Sequence, residues 1–249
     1  MMRFRHALAA TLLLTTAAVA RDHPAAQTKA AVAKALADPA RADQAKDDDR
    51  RHAAAVLAFS GVGPGDTVVD YFPGSGYWTR AFTNIVGAKG KVYAIWPKAG
   101  AKYAAKALPA LKARGFANVT AEVQTTDLPT APKPVDLFWT VQNYHDVANE
   151  NGEASLTAFD AAVFKMLKPG GTYVVIDHAD AAGTGIIGTD TRHRIDPAAV
   201  RKHVEAAGFT FVGESNVLRN PADDHSKAVF DDSIRGRTDQ FVYKFRKPG

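Results

Sequence analysis

The chain has 249 residues and not one cysteine. That absence excludes disulfides, a lipid-bearing thiol beside a leader cleavage site and a thiol nucleophile, and it leaves a chain that tolerates an oxidising compartment. An apolar stretch of spanning length is also lacking at the amino end. Ala7 to Ala20 is too short for the roughly 20 residues that cross a bilayer comfortably. It is preceded by Arg3 and Arg5 and closes on Ala18-Val19-Ala20, the order of features that a signal peptidase recognises. A secretory leader over residues 1–20, cleaved after Ala20, is therefore expected, with a periplasmic or secreted mature protein and no stable membrane anchor. A strong charge of either sign is missing as well. Losing residues 1–20 removes two arginines and no acid, so the net charge of +5 becomes +3. Lys98, Lys102, Lys106, Lys112 and Arg114 are spread along one expected helix and suit a solvated face better than a nucleic-acid groove.

What is present is 46% hydrophobic residues, enough for one sizeable core. Residues 21–49 are Ala-rich and charged, with Pro39 interrupting any single helix, and form a helical lead-in. The run from Asp47 to Arg51, "DDDRR", is expected as a solvated helix start or as part of a lid folded over a pocket. A helix through "RRHAAAVLAFSG" stops at Gly61. Strands are expected at Thr67 to Tyr71, "GKVYAIW", "NVTAEV", "PVDLFWTV" and "TYVVID", with the last preceded by a turn at "KPGG". Helices alternate with them, including a stripe of Leu156, Phe159, Val163, Met166 and Leu167, and one capped by Asp196 with Pro197 at its first position. Strand–helix alternation over residues 50–248 predicts an α/β fold, a mostly parallel seven-stranded sheet with helices on both faces. No helical pattern separates "FTFVGES" from "QFVYKF", so the last strand is expected as an antiparallel hairpin partner.

The stretch "VVDYFPGSGYWTR" sits where a ligand meets a parallel sheet, beyond the carboxyl end of the first strand. A nicotinamide or flavin site would have a third glycine where Thr79 stands and an acid about 20 residues on, and neither occurs. Asp70 followed by Gly74-Ser75-Gly76 instead resembles motif I of the class I S-adenosylmethionine-dependent methyltransferases, with Phe72 in place of the first glycine. The "LKPGG" turn, the element order and the terminal hairpin extend the likeness over residues 50–248. The tail "HRIDPAAV…LRNPADD…IRGRTDQFVYKFRKP" is similar to a group of exported bacterial predicted methyltransferases.

The resemblance implies S-adenosylmethionine as cofactor and a small-molecule acceptor. It implies that Asp70 orients the loop and meets the methionine amino group, and that Gly74, Ser75 and Gly76 admit the methionine tail. Gly76→Val would then block entry while leaving the fold mostly intact; the alternative is that both glycines only satisfy a tight turn. Trp96 and Pro97 stand where the family usually has a ribose-binding acid, and a tryptophan there can stack on adenine but cannot accept two hydroxyl bonds. Asp127 falls near the place of an adenine-reading acid, and Asn143 is assigned to the cofactor site. His145 and His178, following the fourth and fifth strands, are candidate general bases with Asp146 or Asp177 orienting them; the alternative for each is a bond to loop backbone. No metal is expected. His145, His178 and His193 with Asp146 or Asp177 would be the set for one, and no pair has tight ligand spacing. A non-enzymatic, exported small-molecule-binding protein on the same fold is the alternative function.

Overall fold

The computed structural model describes residues 18–249, so all but the last three residues of the expected leader lie outside the described residues. The strands are β1 (Thr67–Tyr71), β2 (Lys91–Trp96), β3 (Val119–Val123), β4 (Val135–Val141), β5 (Leu167–His178), β6 (Thr210–Ser215) and β7 (Gln240–Arg246). The helices are α1 (Ala25–Leu36), α2 (Ala42–Ala45), α3 (Ala53–Ser60), α4 (Tyr77–Val86), α5 (Ala101–Lys112), α6 (Tyr144–Asn151), α7 (Glu153–Met166) and α8 (Pro197–Ala206). All seven strands join one sheet in the order β3-β2-β1-β4-β5-β7-β6. Neighbours from β3 to β5 pair in parallel, and β7 inserts antiparallel to both β5 and β6, as the missing helix before it implied.

Alternate strand residues divide between two cores because successive side chains leave a strand on opposite faces. Val68, Val92, Leu137, Trp139, Val174 and Ile176 meet α1, α3 and α4, while Val69, Ile95, Phe138, Tyr173 and Val175 meet α7 and α8. With helices on both faces, β4 is buried continuously from Val135 to Thr140 rather than at every second residue. Two local expectations shift. Lys168 to Gly171 lie inside a longer β5 instead of a free turn, and the three extra residues of β5 are absorbed by a register change against β4 between Val135 and Leu137. Pro109 is accommodated within α5 without ending it.

The lead-in is built into the core. Val32 and Ala35 of α1 pack with α4, so every residue of α4 except Asn84 is buried. Arg80 pairs with Asp43 at 2.7 Å, Asn84 Nδ2 donates to Asp38 at 2.6 Å, and Asp48 receives both Arg41 at 2.8 Å and the Tyr77 hydroxyl. The acidic run is therefore not simply a solvated face: its Asp48 joins the lead-in to the first turn of α4. Among the described residues no helix is long and apolar enough to cross a membrane.

Candidate active site

The glycine turn is shaped from within. Phe72, in the place of the missing glycine, adopts φ 55°, a left-handed conformation that costs an L-residue roughly 1–2 kcal/mol. Its ring is given room by Gly100, where a Cβ would come within 2.8 Å of Phe72 Cε2, and it packs against Tyr103 with centroids 5.7 Å apart. Asp70 is buried and turned to α4, where Oδ2 accepts from Thr79 Oγ1 at 2.6 Å. Burial pushes its pKa up to about 7, against the hydrogen bonds from Thr79. Asp70 thus holds the turn. Gly76 caps α4 at φ 80°, and a Cβ there would stand 3.1 Å from Leu111 Cδ1. The expectation that Gly76→Val spares the fold is corrected on both counts, since any side chain is strained at that φ and meets the core.

A cavity of about 790 Å³ opens at the carboxyl ends of the first four strands. Tyr71 and Phe72 follow β1, Pro97 to Ala99 follow β2, Thr125 to Leu128 follow β3, and Asn143, Asp146 and Val147 follow β4. This is beside the junction of β1 and β4, where the strand order reverses and open α/β sheets take their ligands. Asp127 and Asn143 both line it. Asp127 Oδ1 accepts from Ala99 N at 2.6 Å, and Asn143 Nδ2 donates to Val141 O at 2.6 Å. Gly74, Ser75 and Gly76 share this sheet edge but are not part of the cavity wall. Trp96 is corrected too: it is fully buried with Ala94, Ala104, Leu111 and Ala121 and has no face on the cavity over which a base could stack. Thr126, Leu128 and Val147 also line the cavity, with their place just after strand ends as their only signal in the sequence, and α6 and α7 close the far side from Asn149 to Phe159.

Both histidines lie at the same edge, one at the start of α6 and one at the end of β5. Asp177 joins them. Its Oδ1 accepts from His145 Nδ1 and from His178 N, each at 2.8 Å, and its Oδ2 accepts from His145 N at 2.8 Å. Burial lowers the His145 pKa, but the Asp177 and Asp146 carboxylates outweigh it and raise the value above that of a free imidazole. Burial dominates at His178, which falls to about 4 and is neutral at pH 7, with Nδ1 2.7 Å from Thr238 Oγ1. His178 is a weak base in this setting, whereas His145 presents Nε2 towards Asp146 Oδ1 at 3.4 Å and His193 Nδ1 at 3.3 Å. Asp146 is shared with the cavity wall, so the histidine centre adjoins the cavity.

Solved structures place the fold. An S-adenosylmethionine-dependent methyltransferase from Aquifex aeolicus is similar with a TM-score of 0.55 at 20% identity, over 88% of this chain and 97% of that one. The N-methyltransferase NodS from Bradyrhizobium japonicum WM9 matches with a TM-score of 0.57 at 16% identity, over 83% and 99%. The [4+2]-cyclase SpnF matches with 0.59 at 15% identity, over 93% and 98%. No family model and no curated protein matches the chain. The fold is that of the class I methyltransferases, a Rossmann-like sheet with a terminal antiparallel strand. A cyclase among the neighbours shows that the shared fold extends beyond proteins named for methyl transfer.

Proposed function

We propose that the protein, exported and cleaved after Ala20, binds S-adenosylmethionine in the cavity and passes its methyl group to a small-molecule acceptor. The position of the cavity carries this reading: a space of about 790 Å³, contributed to by four consecutive parallel strand ends at the reversal of strand order. Its walls suit a nucleoside, with apolar surface from Phe72, Leu128 and Val147 and polar groups from Thr126, Asp127 and Asn143. When bound, the cofactor supplies a methyl group on an already activated carbon, so the chain's task is alignment. His145, held by Asp177 behind the cavity-lining Asp146 and not itself part of the wall, is the base we assign to the acceptor's proton.

Phe72 in the place of a glycine and Trp96 in the place of an acid favour a second reading, small-molecule binding without catalysis. Calorimetric titration of the chain from Arg21 with S-adenosylmethionine and S-adenosylhomocysteine is expected to show one saturable site for both. Failure of both to bind at roughly millimolar concentration sinks methyl transfer. Binding with no transfer to any nitrogen, oxygen or sulfur acceptor offered would favour the second reading.

A further inference from the structure

His145, Asp146 and His193 bring three ligand atoms together at the open edge of the sheet. His145 Nε2 lies 3.3 Å from His193 Nδ1 and 3.4 Å from Asp146 Oδ1, and the last two atoms are 3.7 Å apart. A tetrahedral ion with bonds of about 2.0–2.1 Å holds its ligand atoms about 3.3–3.4 Å from one another. The triangle of donors therefore has the size of one face of such a polyhedron. We propose that these three residues form a binding site for a divalent first-row metal ion of the zinc type, with the fourth position open. Two imidazoles and one carboxylate suit such ions better than they suit magnesium or calcium.

A separate observation supports a metal over a chance contact. Asp177 is fully buried and accepts from His145 Nδ1, which fixes the proton on that nitrogen and leaves Nε2 for a ligand, the arrangement that commonly orients metal-bound histidines. The backbone that carries His193 is anchored on both sides. It adopts φ 54° between Arg192, paired with Asp180 at 2.7 Å, and Arg194, which makes two bonds of 2.9 and 3.0 Å to Asp223. The Asp146 and His193 side chains are 45% and 32% exposed, so water or a substrate oxygen can reach the fourth position. Two neutral imidazoles, Asp146 and the supporting Asp177 together balance the charge of a divalent ion. With the ion present, His145 acts as a ligand, and an acceptor oxygen would be activated by coordination instead of by that imidazole.

The site goes beyond the methyl-transfer reading and is tested without any nucleoside. Chelator-treated chain from Arg21 is titrated with Zn²⁺ by calorimetry, and Co²⁺ is added in parallel to detect tetrahedral ligation by visible absorption. One equivalent is expected with a Kd of about 10 µM or tighter. Asp146→Asn and His193→Ala, both at partly exposed positions, are each expected to weaken it about tenfold or more, and Asp177→Asn by about 10–100-fold. His52→Ala, at an exposed histidine, should leave it unchanged. Circular dichroism confirms that each variant is folded. Binding weaker than about 10 µM, or binding that survives both ligand substitutions, overturns the proposal.

Discussion

His145 Nδ1 and Asp177 Oδ1 stand 2.8 Å apart, both buried, with two further backbone N–H groups bound to the same carboxylate. All the partners of Asp177 are donors. An asparagine there turns an NH2 group towards at least one of them whichever way it is flipped. Asp177→Asn is therefore expected to cost about 2–3 kcal/mol of stability, the scale of a buried polar group left facing its like. Urea denaturation measures this, and imidazole nitrogen chemical shifts report whether His145 changes tautomer. A variant as stable as the parent, with the same tautomer, would show that the carboxylate is not what orients the ring.

Phe72 places a ring on the cavity wall at a backbone conformation that glycine adopts freely. Phe72→Gly removes the φ cost and enlarges the cavity, at the expense of contacts with Gly100 and Tyr103. Affinity for S-adenosylmethionine is expected to rise about tenfold, equal to about 1.4 kcal/mol, if the ring narrows the cofactor's entry. Calorimetry on the variant decides it; unchanged or weaker binding would place the ring among the contacts that hold the ligand.

Asp70 predicts a pH dependence of stability. Burial raises its pKa to about 7 in the folded chain, whereas an unfolded aspartate titrates near 3.9. Between those values the folded chain keeps a proton that the unfolded chain has released. Its contribution is thus complete below about pH 4 and is lost as pH rises to about 7, a change on the order of 4 kcal/mol. Asp70→Asn keeps an acceptor for Thr79 and removes the titration. The melting temperature of the variant relative to the parent should climb between about pH 4 and pH 7 and level off above. A constant difference across that range would mean that Asp70 is ionised in the fold.

The backbone nitrogen of Arg21 lies 3.3 Å from Asp136 Oδ1, and the same carboxylate binds Lys168 Nζ at 2.7 Å and Thr67 N at 2.8 Å. Cleavage after Ala20 would convert that amide into an ammonium. The mature chain is then expected to gain about 1 kcal/mol over one carrying extra residues before Arg21, because a charged donor replaces a neutral one. Thermal melts of the two forms, with Asp136→Asn as the control that should abolish the difference, provide the check.

Periodicity and punctuation by themselves determined the strands, most of the helices and the sheet's class, but not α6. Apolar runs bounded by Gly61, Gly87 and the Asp196-Pro197 cap mark elements through local backbone preference, which does not depend on distant partners. The absence of a helix before "QFVYKF" was enough to foresee the antiparallel β7. The edge at which Asn143, His145 and His178 would emerge followed from strand direction, whereas Asp127 was placed by the family resemblance. What only the tertiary structure decided was which way each side chain turns at that edge. Trp96 and Asp70 leave their strands on the α4 and α5 face, as strand alternation requires, and are consumed by core and turn instead of the cavity. The lead-in joined the core because Tyr77, Arg80 and Asn84 of α4 find their partners in Asp48, Asp43 and Asp38, pairs across 29 to 46 residues that no local pattern names. His193 reached His145 from 48 residues away through Arg192 and Arg194, whose long-range pairs no local pattern encodes. Spacing along the chain constrains neighbours on one element, whereas a three-residue centre drawn from a helix start and a distant loop exists only after the sheet has placed both.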